Sequence, residues 1–153
     1  MTDPIPAGLE GRIVPYLMID GAAKAIDFYV AAFGAEERYR LPMPDGGIGH
    51  AEIVVNGATV FLADAPDDMP GNAANPAKLG GSSVLLHQYV ADCDASVSRA
   101  VTAGATVVRA PEDQFYGDRA ALVADPFGHL WSFHTHVRDV TPEEMQAAVA
   151  QMG

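Results

Sequence analysis

The feature that most constrains the fold is a repetition: the element order read from the first half of the chain recurs in the second half at an offset of roughly seventy residues. In the first half, Ile13 to Ile19 alternates Val14, Tyr16 and Met18 against Pro15, Leu17 and Ile19, the pattern of a half-buried strand. Asp20 is placed to cap a helix whose Ala25, Ile26, Tyr29, Val30 and Phe33 recur at helical spacing, and Gly34 ends it. Glu36 to Leu41 reads as a strand, Pro42 to Gly49 as a loop, His50 to Val55 as a strand, Asn56-Gly57 as a tight turn, and Ala58 to Ala63 as the return strand. The order is βαβββ.

The second half repeats it. Ser83 to Val90 is a strand, Asp92 caps a helix through Ala103, Gly104 stops it, and Thr106 to Arg109 is a short strand. Asp118 to His136 is a ribbon turning at Asp125-Pro126-Phe127-Gly128. Superposing the halves sets Gly34 on Gly104, Asn56-Gly57 on Phe127-Gly128, Tyr16 on His87, and Val60, Phe61 and Leu62 on Trp131, Ser132 and Phe133. Such a period signals a duplicated module and not a solenoid. Each helix covers one face of four strands, so the opposite faces are expected to pair across a pseudo-twofold axis. The expected fold is α+β: a curved mixed sheet around a cavity, with the helices on its outer face.

Residues 1–11 read as an arm, 12–64 as module one, 65–81 as a linker or flap, 82–140 as module two and 141–153 as a C-terminal helix. An acid-rich stretch at Asp64, Asp67 and Asp68 leads into the linker, which promises no regular element. The terminal helix has Thr141 as cap and Pro142 at its first position, and its stripe of Met145, Ala148, Val149 and Met152 suits packing on its own domain or on a second copy; a homodimer is expected. A net charge of −11 makes nucleic acid and anionic membranes poor partners, and no run long enough to span a membrane or resemble a secretion signal is present, so a cytoplasmic address is expected. Arg38, Arg40, Arg109 and Arg119 nevertheless fall in or beside strands, which keeps an anionic ligand open. The single Cys93 precludes an internal disulfide and reads as structural.

The ribbon carries Leu130, Ser132, His134 and His136 on one side and Trp131, Phe133 and Thr135 on the other. Trp131 and Phe133 read as core under the second helix, and His129, just after the turn, as a partner for loop backbone.

A tandem βαβββ chain with Ile26 to Tyr29 reading I-D-F-Y, Ala103 to Ala105 reading A-G-A, and the run from Tyr116 through D-P-F-G-H-L-W to Val140 resembles the vicinal oxygen chelate superfamily. This is the group of glyoxalases, extradiol dioxygenases and fosfomycin and bleomycin resistance proteins, and the chain is most similar to its PhnB-like or glyoxalase-like branch. The resemblance implies a divalent ion held by His, Glu or Gln from the first and last strands of each module. Carried over by position, those sites fall on or beside Val14, Phe61, Leu85 and Ser132, and the neighbours Pro15, Leu62, Leu86 and Trp131 are equally inert. No cofactor is therefore expected.

His87 and His134 lie two residues beyond the empty positions on their strands and share their parity. Three readings stand for them: a shifted metal site, a general base, or hydrogen-bonded wall residues. His50 and Glu52 would join them as the fallback ligands of a divalent metal. Tyr16, Phe61, Leu85 and Tyr89 would make the wall apolar and aromatic, suited to a planar or hydrophobic small molecule, with Ser132 as a polar contact. Arg119 reads either as a clamp for a ligand carboxylate or phosphonate or as the partner of Asp118 or Glu112. The two function classes are a metal-free small-molecule-binding protein and a metal-dependent or His-based lyase, isomerase or transferase acting on a small oxygenated substrate.

Overall fold

A computed structural model describes residues 2–66, 68 and 74–153. Module one comprises β1 (Tyr16–Ile19), α1 (Ala22–Phe33), β2 (Glu36–Pro42), β3 (Ile48–Val55) and β4 (Ala58–Asp64). A single turn of helix, α2 (Pro76–Leu79), precedes module two: β5 (Leu85–Tyr89), α3 (Cys93–Ala103), β6 (Thr106–Asp113), β7 (Asp118–Ala124) and β8 (Leu130–His136). The last helix is α4 (Pro142–Ala150).

The strands form two four-stranded mixed sheets, β1-β4-β3-β2 and β5-β8-β7-β6, in which β1 runs parallel to β4 and β5 parallel to β8 while the other pairs are antiparallel. The duplication is visible in the registers. Tyr16 faces Phe61 and His87 faces Ser132, and both members of the second pair stand 71 residues after those of the first (16 to 87, 61 to 132). The expected tandem βαβββ modules are present, each contributing one four-stranded sheet, and β1 and β5 exchange no ladder. Side chains from the hairpin turns bridge the modules instead: Asn56 Nδ2 donates to the Tyr89 carbonyl at 2.8 Å, and His129 Nε2 donates to the Met18 carbonyl at 3.0 Å.

One core serves both modules. Leu17, Ile19, Ile53 and Leu62 pack under Ala25, Ile26 and Tyr29 of α1, and Val123, Trp131 and Phe133 join Cys93, Val97 and Ala100 of α3 in the same cluster. Trp131 is core, as its parity predicts, but it also meets α1: its ring lies 4.5 Å from Phe33 and 5.3 Å from Tyr29. Full burial of such side chains contributes about 1.5–3 kcal/mol each, so the modules are stabilised largely through their shared helix layer.

Several local features depart from the sequence reading. Asp20 does not cap α1. Gly21 occupies the cap with a left-handed backbone (φ 90°), and the donors of Gly21 and Ala22 go to Asp64 Oδ1 at 2.8 and 2.9 Å. Asp64 Oδ2 also accepts from Ile48 at 2.7 Å, so one carboxylate ties together the ends of β4, α1 and β3. The other caps are as read, with Asp92 accepting from Ala95 and Thr141 forming a reciprocal box with Glu144. β1 starts after Pro15, whose carbonyl still accepts from Phe61. β6 runs on to Asp113, absorbing Pro111 through register shifts on an outer strand. The linker, expected to lack regular structure, contains α2 capped by Asn75, while Asp67 and residues 69–73 lie outside the described residues. On α4, Met145 and Ala148 are half-buried and Val149 and Met152 exposed. Among the described residues no helix is long and apolar enough to cross a membrane.

Candidate functional site

The side chains of interest lie on the strand faces turned away from α1 and α3. In module two they gather around Asp118. The β7–β8 register sets Asp118 opposite His136 and Ala120 opposite His134, which puts both imidazoles within reach of the Asp118 carboxylate. Oδ2 accepts from the Tyr89 hydroxyl at 2.7 Å and from His134 Nδ1 at 3.1 Å, and Oδ1 accepts from His136 Nδ1 at 3.0 Å. Burial pushes this carboxyl upward, yet the donors of His136, Tyr89 and His134 outweigh it and hold Asp118 below the ordinary carboxylate value. His136 also reaches Asp139 through Nε2 at 2.9 Å, and Asp139 and then Asp118 raise its pKa.

Gly117 makes this arrangement possible. Its φ is 96°, and its carbonyl accepts from Val137 and Arg138, which draws the chain leaving β8 against the chain entering β7. The neighbouring Tyr116 ring lies nearly parallel to His134, with 17° between planes and 6.1 Å between centroids. His87 completes the cluster. Its ring meets His134 edge-on at 4.3 Å and its Nδ1 lies 3.3 Å from Ser132 Oγ. Burial first, and then the proximity of His134, lower the His87 pKa, against the opposing pull of Asp118.

Module one presents a second, smaller cluster. Tyr16 Oη lies 2.7 Å from His50 Nδ1, and His50 Nε2 lies 3.2 Å from Glu52 Oε1. The two contacts link Tyr16, His50 and Glu52 in one chain of polar groups. Phe61 packs T-shaped against both rings, at 5.7 and 4.9 Å. Pro6, Ala7 and Leu9 of the N-terminal arm flank this face, leaving an open groove of about 620 Å³.

The structure thus brings His87 and His134 together, with Ser132 and Tyr89 beside them, and brings Tyr16, Phe61, His50 and Glu52 together in the other module. Among the described residues no hydrogen bond or ring contact joins the two groups, and no three His, Cys, Asp or Glu side chains are grouped to hold a metal. The four fallback ligands are therefore split in two pairs. Leu85 is exposed on the β5 face. Arg119 lies on the other face of β7, where its guanidinium is held by Asp94 of α3 and by Asp113; neither of the partners considered from sequence is the one it uses. Arg40 and Arg38 are likewise paired, with Glu37 and Glu36. Cys93 is buried beneath β8, and burial pushes its thiol up, consistent with a structural role.

Sequence reasoning missed Asp118 as the hub and Tyr116 beside it. A signal was present: the ribbon's turn pairs Ala124 with Leu130, and counting outward sets Asp118 against His136.

Comparison with known proteins agrees with this architecture. An uncharacterized protein of Mycobacterium tuberculosis (strain H37Rv) is 49% identical over 152 residues, covering 99% of this chain and 89% of its own length. The solved structure of the Arabidopsis thaliana gene product At5g48480 is 30% identical with a TM-score of 0.65, covering 80% of this chain and 96% of that one. TioX from Micromonospora sp. ML1 is 27% identical with a TM-score of 0.63, covering 86% of this chain and all of that one. A family model matches residues 12–133, and the chain belongs to the Glyoxalase/Bleomycin resistance protein/Dioxygenase superfamily.

Proposed function

We propose that this protein binds a small hydrophobic or aromatic molecule on the open strand faces of its modules, without the divalent ion used by metal-dependent members of the superfamily. The observation that carries the reading is the chemistry of four positions. Val14, Phe61, Leu85 and Ser132 stand where the resemblance puts metal ligands, and the first three have no lone pair to give. Around them the faces are aromatic and open: Tyr16 is 46% exposed, Leu85 54% and Tyr89 55%. Exposed apolar area of this kind binds apolar surface, from a ligand and from a second copy of the chain. A homodimer in which one copy covers the faces of another gives the ligand the enclosure that one chain lacks. The acidic surface and single buried thiol suit the reducing cytoplasm.

Native mass spectrometry of protein purified without chelator tests this directly. The expected result is a dimer carrying a co-purified organic molecule and no stoichiometric metal. A stoichiometric divalent ion that disappears in a His87→Ala variant overturns it.

A further inference from the structure

We infer that His134, oriented by Asp118, is the hydrogen-bond acceptor for the ligand, and that the ligand is a planar aromatic molecule carrying a hydroxyl group. This rests on the aromatic-ligand reading above and names the polar contact that reading leaves open.

Asp118 takes the Nδ1 proton of His134, so a neutral His134 carries its lone pair on Nε2. Among the described residues Nε2 has no hydrogen-bond partner. The His134 side chain is only 13% exposed, so this lone pair is one of few polar features on an otherwise packed ring, and a group that satisfies it gains a partly desolvated hydrogen bond. The surrounding groups are already committed. Asp118 receives three donors, the Tyr89 hydroxyl is one of them, and His136 is held between Asp118 and Asp139. What Tyr89 still offers is ring surface, its centroid 5.8 Å from that of His134. His87, at 4.3 Å, offers its ring and an Nε2 that also has no partner among the described residues, so only a substitution at His134 itself discriminates between the two imidazoles. Tyr116 adds a face almost parallel to His134.

Those features specify a ligand. The rings of His87, Tyr89 and Tyr116 gather about His134, and such aromatic surroundings favour a planar aromatic body beside it. An acceptor nitrogen backed by the Asp118 carboxylate favours a donor, and it disfavours a carboxylate or phosphonate, which would face the lone pair and the negative charge behind it. Among the described residues the Tyr116 hydroxyl has no hydrogen-bond partner, and it supplies a second polar contact for a substituted ring.

The test compares two probes that differ only in the donor, 2-naphthol and its methyl ether 2-methoxynaphthalene, by calorimetric titration of the full chain near neutral pH. The expected result is that 2-naphthol binds about fivefold more tightly, the contribution of one hydrogen bond, and that the preference vanishes in His134→Phe, which keeps a ring at that position. Asp118→Asn is a second variant. Its amide permits the opposite tautomer, and the preference should fall there too, with circular dichroism checking that the variant is folded. Equal affinity for the two probes in the unmodified protein, or a preference that persists in His134→Phe, overturns the acceptor role while leaving aromatic binding intact. Failure of both probes to bind overturns the aromatic reading together with this one.

Discussion

The hydroxyl of Tyr29 donates to Asp125 Oδ2 at 2.6 Å, joining the helix of module one to the ribbon turn of module two across 96 residues of sequence. The same oxygen accepts from Trp131 Nε1 at 2.9 Å, and Oδ1 accepts from the backbone of Phe127 and His129. Burial, and then the Asp125 charge, push the Tyr29 hydroxyl well above its ordinary pKa, so it remains a donor. One carboxylate thus shapes the turn and fixes the seam between modules.

Tyr29→Phe removes one donor and leaves Asp125 three, so a loss of about 1–2 kcal/mol is expected. Asp125→Ala orphans the buried Tyr29 hydroxyl and Trp131 indole and the turn amides, and should cost about 3 kcal/mol or more. Urea unfolding followed by Trp131 fluorescence measures both. Equal losses in the two variants would show that Asp125 is not the hub.

Gly117 should not tolerate a side chain. A Cβ there would sit 2.2 Å from the Arg138 carbonyl oxygen, on a backbone already at φ 96°. Gly46 has a similar φ of 88° with nothing near its Cβ position, so Gly46→Ala isolates the backbone cost, about 1 kcal/mol. Gly117→Ala should exceed it by at least about 2 kcal/mol and expose the segment before α4 to protease. Thermal melts and limited proteolysis report the difference; matching melts for the two variants would contradict the close approach.

The two perturbed histidines of module two predict opposite pH dependences. His136 has its pKa raised above 6.5 by Asp139 and Asp118, so its contribution is present below the unfolded value and fades as pH rises through the folded one. His87 has its pKa lowered below 6.5, chiefly by burial, so the unfolded chain binds its proton more readily and stability falls as pH drops from the unfolded value through the folded one. His136→Gln should therefore remove a loss on the alkaline side, and His87→Gln a loss on the acid side, of stability measured between about pH 5 and pH 8. The exposure of His136 keeps its effect small. A reversal of either sign would contradict the contacts described.

Much of this was legible because the constraints were local or periodic. Strand parity put Trp131 and Phe133 in the core and His134 on the opposite face, and repetition alone aligned Tyr16 with His87 and Phe61 with Ser132, an equivalence matched by the registers, which pair Tyr16 with Phe61 and His87 with Ser132. What escaped was set by distant partners. Asp64 satisfies the start of α1 from 43 residues away, in place of the adjacent Asp20. Arg119 finds Asp94 on a helix 25 residues earlier and not the neighbours suggested by its strand. Asp118 and His136 meet only once the ribbon folds back on itself. Short-range pattern locates strands and their faces, whereas carboxylate partners depend on which elements the shared core brings together.

Divalent metal should not stabilise this fold. A site occupied at about a hundred times its dissociation constant would stabilise the fold by about 2.7 kcal/mol, a shift plain in any melting curve. Here the imidazoles are divided into His50 beside Glu52 and His87 beside His134, and Asp118 already accepts from Tyr89, His134 and His136. Two donors bind a first-row divalent ion weakly compared with the three or more that protein sites supply. Melting the protein with manganese, nickel or zinc, and after treatment with a chelator, should therefore give the same midpoint within error, and 2-naphthol should bind equally in both preparations. A chelator-sensitive midpoint that is also lost in His134→Phe would mean that a metal occupies the position assigned here to the ligand hydroxyl.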